Sequence, residues 1–403
     1  MKTMFNLPEK VLFCSKCVLS NQRPSSMPEF LHKASREGAK YLNIKKNAKG
    51  ENVCDACTAL KIKEKTNWEK REKELLKLLE KHRSKTGDYD CVVPGSGGKD
   101  SIYASHILKN KYGMHPLTVT WPPIMYTDYG YQNFRNWIEI GGFDNISFKQ
   151  NGKVIKLLTR LSIQNLLHPF QSFILGQKSI GPKIAAKYKI PLVFYGESEA
   201  EYGNPISELT SQRDKSYWSY QNIKKLFLAG VPIEELIEKH KLKMADLKAY
   251  LPIEEKELMS AKIEVHYLGY YLKWIPQEAY YYSVEHTNFK ARPYRTQGTY
   301  SKYSGIDDKI DDLHFYTTFI KFGLGRATYD SAQEVRNKHL TREEAIQLIK
   351  RFDGEYPDKY LEEVLDYLKI KEEDFNELCN KFRPAHLWEK KSNGWKLKHT
   401  IYK

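Results

Sequence analysis

Ser96-Gly-Gly-Lys-Asp-Ser101 is the segment whose residue types and order are best suited to chemistry. Adjacent glycines let a backbone come close to a phosphate. The loop N–H groups and a following helix N-terminus attract the anion, and Lys99 adds a full positive charge. A Walker A loop needs four residues between its first glycine and Gly-Lys-Ser/Thr, and this segment lacks that spacing. A serine before the glycines and an aspartate after the lysine suit pyrophosphate better than a transferred γ-phosphate. The plainer reading is a glycine turn that only starts a helix. Four cysteines form the second group, Cys14-x-x-Cys17 and Cys54-x-x-Cys57. Four thiolates in two short-range pairs can close a tetrahedral Zn²⁺ site with no open position, which makes its role structural; redox or iron–sulfur chemistry is the alternative. The 36 residues between the pairs, 18 to 53, exceed the ~15–20 of a zinc ribbon. Cys91 and Cys379 have no partner at catalytic spacing.

These groups need elements to position them. Tyr89–Val93 reads as a buried strand entering the glycine loop, and Ile102–Lys111 as the helix leaving it. Further strands are expected at Leu117–Trp121, Asn145–Phe148 and Pro191–Tyr195, with helices near 131–140, 153–167 and 178–188. Strands alternating with helices predict an α/β domain with a parallel sheet. Four regions follow: a zinc-binding four-cysteine module at 1–60, a linking amphipathic helix at 61–85, the nucleotide-type domain at 86–215, and a mostly helical substrate- or partner-binding region at 216–403. Within the last, Lys224–Leu258 reads as helical with an interruption at Gly230-Val-Pro232, Asp307–Phe322 and Thr341–Tyr367 read as helical, and the aromatic belt Tyr267–Tyr282 reads as core rather than a stacking platform.

The chain has 403 residues, with 65 Lys+Arg against 50 Asp+Glu, a formal charge of +15. Such a balance suits a polyanionic partner, nucleic acid included, or a lysine-rich solvated surface. No stretch approaches the ~18–20 apolar residues of a membrane span. The first ten residues hold no apolar run of a secretory signal, so a cytoplasmic protein is the expectation.

Ser-Gly-Gly-Lys-Asp-Ser after an apolar strand resembles the PP-loop of N-type ATP pyrophosphatases. Other segments carry that resemblance further: Cys14-Ser-Lys-Cys-Val18 with Arg23-Pro24, Gly176-Gln177, Tyr195–Gly203, Thr296–Tyr300, Asp307–Asp311, Phe319–Ala327 and Arg383–Trp388. In this order they are similar to the N-acetyl sugar amidotransferases, the WbpG- and PseA-like family. The resemblance implies an ATP-dependent conversion of a sugar acetamido group to an acetamidino group in bacterial surface-glycan synthesis. The sugar would be a UDP-linked diacetamido uronic acid or a nonulosonic acid. It implies that Ser96, Gly97, Gly98, Lys99 and Ser101 cradle the leaving pyrophosphate, that Asp100 helps hold Mg²⁺, and that the strand ending at Thr120 and Trp121 lines the adenine. The chain shows no glutaminase signature of its own: Lys2 follows the initiator, and no Gly-x-Cys-x-Gly turn occurs. Ammonia is then expected from a separate glutaminase of the histidine-biosynthesis type, with a cyclase-like barrel subunit.

Other candidates follow from position. Glu197 and Glu201 leave the Pro191–Tyr195 strand toward the crevice at the sheet's carboxyl edge, where Glu197 meets a metal or ribose or caps a helix. Gln177 and Lys183 could reach the phosphates or the amide. Arg326 could bind a sugar carboxylate or form a structural ion pair, and Thr296, Thr299 and Tyr300 could line a sugar site. His314 reads as a core histidine. Two other classes stay open. One is a tRNA-modifying PP-loop enzyme, a thiolase or lysidine-type ligase, although few cysteines remain for sulfur transfer. The other is a non-catalytic zinc-binding interaction protein.

Overall fold

Alternation along short apolar strands builds the centre of the molecule. The computed structural model describes residues 3–24, 40–196, 210–212 and 219–402. Strands β1 (Cys91–Pro94), β2 (Pro116–Thr120), β3 (Asn145–Ser147), β4 (Leu192–Tyr195) and β5 (Glu264–Tyr267) form one parallel sheet in the order β5-β4-β1-β2-β3. Successive side chains point to opposite faces. Val92, Leu117, Val119, Val193 and Val265 enter one core with helices Gly152–Leu166 and Gln171–Tyr188. Cys91, Val93, Leu192 and Phe194 enter the other with helix Lys99–Asn110. Both faces are covered, as an all-parallel sheet requires. The expected α/β class and the strands at the glycine loop are observed.

Four expectations change. The sheet takes its edge strand β5 from Glu264–Tyr267, well past the expected boundary at 215. Four residues of strand are too short to announce themselves, and their register with Leu192–Tyr195 is set by tertiary pairing. The expected linking helix at 61–85 is two helices, Asp55–Glu64 and Trp68–His82, separated where Asn67 caps the second through the Lys70 N–H. The second helix is a layer of the α/β domain: Leu75 and Leu79 are fully buried against Cys91 and Phe194. Thr341–Tyr367 likewise divides into Arg342–Phe352 and Asp358–Leu368, interrupted by Gly354 at φ 82° and Pro357. In Lys224–Leu258 only Ile233–Glu238, Met244–Lys248 and Glu255–Ser260 are α-helical.

The aromatic belt is mainly core, as expected: Tyr267, Tyr271 and Trp274 are buried, whereas Tyr281 is exposed. Among the described residues no helix is long and apolar enough to cross a membrane.

On β5 the buried imidazole of His266 bonds the Tyr271 hydroxyl at 2.8 Å and the Glu264 carboxylate at 3.3 Å. Burial depresses its pKa to about 4, against a partial lift from Glu264. A folded value below the unfolded ~6.5 means that the unfolded chain binds the extra proton. The stability from neutral His266 is therefore present above pH 6.5 and lost as pH falls toward 4. The loss amounts to up to about 3 kcal/mol. Urea midpoints measured from pH 7 to 4 should fall along this window, and His266→Gln should flatten the slope; an unchanged slope would contradict the assignment.

Candidate functional site

The glycine loop sits where β1 and β4 end side by side and their connections leave in opposite directions along the sheet. This is the crevice in which parallel α/β sheets bind ligands. Its glycines answer separate demands. A Cβ on Gly95 would lie 2.2 Å from the Ser101 Cβ, so the loop folds back tightly on its own helix. Gly97 has φ +84°, and a Cβ there would lie 2.5 Å from the Phe134 Cα in helix Asp128–Glu139. Gly98 differs: it caps helix Lys99–Asn110, and its nearest neighbours are Ser96 Oγ at 3.7 Å and Asp307 Oδ2 at 3.8 Å. Its missing side chain leaves the helix N-terminus open. Gly97→Ala should therefore lower the melting temperature by several degrees, because a left-handed backbone costs about 1–2 kcal/mol before the clash is added. Gly98→Ala should keep the fold and weaken nucleotide binding. Thermal melts with and without ATP separate the two variants; equal melting temperatures and equal ATP protection would contradict this division.

A cavity of about 480 Å³ opens over the loop, lined in part by Gly95, Ser96, Gly98 and Lys99 from one side and Tyr195 and Gly196 from β4. Lys99 Nζ pairs with Asp100 Oδ2 at 2.5 Å, and the buried Asp100 Oδ1 has no partner among the described residues. That orphaned oxygen fits a role in holding a divalent cation such as Mg²⁺, and the open helix terminus fits a phosphate group such as those of ATP. Ser101 turns back to donate to the Gly98 carbonyl at 3.0 Å.

Asp307, Asp308 and Asp311 complete this cavity from far along the chain. Ser96 Oγ donates to Asp307 Oδ2 at 2.6 Å, and the Thr127 N–H donates to the Asp307 carbonyl. Asp308 accepts from the Ile124 and Met125 N–H groups, and burial pushes its carboxyl up to about 7. Burial also raises Asp311, with Asp308 and Asp307 adding to the effect. These carboxylates were not singled out as site residues in the sequence, where Asp307–Asp311 reads only as a shared motif opening a helix. His314, read as a core histidine, also lines the cavity, stacked on His168 at 4.8 Å.

The other candidates divide. Gln177 lines the cavity. Lys183 does not: its ammonium caps the end of helix Met244–Lys248 by donating to the Lys248 and Ala249 carbonyls. Thr120 is buried and accepts from Asn145. Trp121, 1% exposed, stacks on Phe148 at 5.5 Å and fits beneath Gly176, whose Cβ would come within 2.2 Å of it. The strand end thus packs under helix Gln171–Tyr188, and Pro123 is the residue of this connection that reaches the cavity. Thr296 is fully buried and donates to the Ser304 carbonyl. Thr299 is also fully buried and donates to Asp330 at 2.7 Å. Arg326 lines the cavity and forms the structural ion pair, through Nε with Asp330 at 2.8 Å. Tyr300 borders a neighbouring cavity. Glu197 and Glu201 lie outside the described residues.

The four paired cysteines come together as expected. All four sulfurs lie within 4.8 Å of one another, with Cys14–Cys57 at 3.8 Å and Cys17–Cys54 at 3.6 Å. A tetrahedron with Zn–S of ~2.3 Å has an edge of ~3.8 Å. Backbone N–H groups of Lys16 and Cys54 point at Cys14 Sγ, and that of Cys57 at Cys54 Sγ. The cluster docks on the C-terminal helices: Arg342 donates to the Cys17 carbonyl at 3.1 Å, and Ala332, Ala345 and Ile349 share its core.

Residues 297–402 match the family model described as LPS biosynthesis protein WbpG-like, C-terminal domain. The chain carries a WbpG-like C-terminal domain. The resemblance drawn from the motifs is borne out over this stretch, and the WbpG-like domain is what supplies Asp307, Asp311 and Arg326 to the cavity. An uncharacterized protein of Methanocaldococcus jannaschii, MJ1599, is 37% identical over 73 residues, 18% of this chain. The match spans 26% of that curated relative's length. Among solved structures, NMN synthetase from Francisella tularensis is 12% identical, with 69% of this chain and 96% of that one covered at a TM-score of 0.26. A likeness that slight carries no argument, and the fold rests on the order of the strands themselves.

Proposed function

We propose that the protein is an ATP-dependent sugar amidotransferase that converts an acetamido group to an acetamidino group, releasing AMP and pyrophosphate. One observation carries the reading: the phosphate loop of the sheet and the WbpG-like domain wall the same cavity, joined by the Ser96–Asp307 hydrogen bond. An amide is a poor electrophile because its oxygen is a poor leaving group. Attack of that oxygen on the α-phosphorus displaces pyrophosphate and gives an O-adenylated imidate. Ammonia then adds to the imidate carbon and AMP departs with the former amide oxygen.

In this reading the loop N–H groups, the N-terminus of helix Lys99–Asn110 and the Lys99 ammonium meet the negative charge that grows on the leaving pyrophosphate. Asp100, with its unpartnered oxygen, would hold Mg²⁺, which supplies further charge neutralisation when bound. Gln177, which lines the same cavity, would orient the amide. The reaction also requires that water be kept from the adenylate. The ammonia donor would be a glutaminase subunit of the histidine-biosynthesis type working through a barrel subunit, and the sugar a UDP-linked diacetamido uronic acid or a nonulosonic acid of a bacterial surface glycan.

Incubation with ATP, Mg²⁺, ammonium and candidate acetamido sugars tests this by mass spectrometry. The sugar should lose about one mass unit as O is replaced by NH, with AMP formed in equal amount. Formation of ADP, or an unaltered sugar while tRNA is modified, would contradict it.

A further inference from the structure

The reaction proposed above needs a base after adenylation, and the cationic Lys99 at the phosphate loop does not supply one. Ammonia that has bonded to the imidate carbon carries positive charge on its nitrogen, and that nitrogen cannot help expel AMP until a proton has left it. We infer that His314 is the base that takes this proton. The inference rests on the amidotransferase reading and adds a catalytic residue to it. The ammonia lone pair forms the C–N bond while the C=N pair of the imidate withdraws onto the sugar nitrogen. One N–H proton passes to His314. The pair it leaves behind forms the new C=N bond as the C–O bond breaks, and the oxygen departs on AMP with both electrons. His314 then returns its proton to solvent.

Chemistry is the first argument. His314 is the one imidazole among the described residues that line the cavity over the glycine loop. The carboxylates there are otherwise engaged: Asp100 pairs with Lys99, Asp307 accepts from Ser96, and Asp308 accepts from the Ile124 and Met125 N–H groups. Burial favours the neutral acid in Asp311. Position is the second. The His314 ring meets Phe170 edge-on, at 5.4 Å and 78°. Phe170 caps helix Gln171–Tyr188, from which Phe173, Ile174 and Gln177 line the same cavity. The imidazole thus stands at the start of the helix that carries Gln177, the residue that would orient the amide. Surrounding charge is the third, since a base must be free of its proton between turnovers. His314 lies in the first turn of helix Asp311–Phe322, where the positive end of the helix dipole opposes an imidazolium. The His168 ring stacks on it at 4.8 Å and 19°, so a charge on one imidazole repels a charge on the other. Of the two, His168 is better placed for a proton, because it follows the C-terminus of helix Gly152–Leu166. Lys321, which donates to the Leu166 carbonyl, and Lys178 and Arg326 on the cavity wall add positive charge around the pair. Asp307, Asp308 and Asp311 act in the opposite sense, but burial pushes all three carboxyls up toward their neutral forms.

Two half-reactions separate this role from a structural one. The full chain is supplied with ATP, Mg²⁺ and a UDP-linked diacetamido uronic acid or, in parallel, a diacetamido nonulosonic acid, and pyrophosphate release is followed without ammonium. Amidine formation is then measured with ammonium added, from about pH 6 to 9 at a fixed concentration of free ammonia. His314→Gln should keep the first release of pyrophosphate within about 3-fold of wild type and lower amidine formation about 10²-fold. In the wild type, kcat for amidine formation should fall as pH drops and the imidazole takes up a proton, and the variant should lose this acid limb. Imidazole added to His314→Ala should raise its amidine formation about 10-fold or more. Equal losses in the two half-reactions, or a variant that keeps the wild-type acid limb, would overturn the assignment of His314, while pyrophosphate release by the wild type would leave the amidotransferase reading in place. If the wild type releases no pyrophosphate with either sugar, that reading has itself failed.

Discussion

Lys99→Ala lowers AMP and pyrophosphate formation about 10²–10³-fold, equivalent to about 3–4 kcal/mol of lost transition-state stabilisation. The expectation follows from where the ammonium stands. It begins helix Lys99–Asn110, lines both cavities and is held by Asp100. Charge on the leaving pyrophosphate is greater in the transition state than in bound ATP, so kcat should fall more than KM rises. The side chain is 15% exposed and packs at a cavity wall, so the circular dichroism spectrum and melting temperature should stay near wild type. Removing the cation also leaves Asp100 uncompensated beside the phosphates, which adds to the loss. An unchanged kcat would remove Lys99 from the chemistry.

The largest effect on stability is expected at the cysteine cluster. Cys54→Ser should drop zinc from about one ion per chain to near zero and sharply lower the yield of folded protein. Structural zinc in small modules contributes about 10–16 kcal/mol of apparent binding energy, comparable with the whole stability of a domain. The effect should spread, because the module shares a core with Ala332, Ala345 and Ile349 and holds Arg342 through the Cys14 and Cys17 carbonyls. Cys54 also caps helix Asp55–Glu64, whose N-terminus favours its thiolate. Zinc analysis by plasma mass spectrometry and a thermal melt decide the matter; a stable, zinc-free and active variant would show the cluster to be dispensable. Cys379→Ser, at a buried thiol outside the quartet, should leave the metal content intact.

The sequence announces a feature when its chemistry is local. Ser96–Ser101 is legible because strand, glycines, lysine and helix lie within one short stretch. The cysteine pairs are legible because each knuckle closes over four residues. Asp307 is not, since its role depends on a hydrogen bond to Ser96 across 211 positions. Trp121 and Lys183 mislead for the opposite reason. Their neighbourhood in sequence suggests a ligand, whereas Gly176 above the indole and the carbonyls of Lys248 and Ala249 occupy them. Strand β5 hides in four residues, and the Leu75–Leu79 face of an otherwise charged helix reads as well for a linker as for a layer of the sheet.

The fate of the amide oxygen tests the central claim most directly. A substrate sugar labelled with ¹⁸O in its acetamido carbonyl is turned over with ATP and ammonium, and the AMP is weighed by mass spectrometry. Adenylation of the amide predicts that AMP gains about two mass units in every turnover, while pyrophosphate stays unlabelled. AMP without the label, formed alongside an amidine product, would contradict the account.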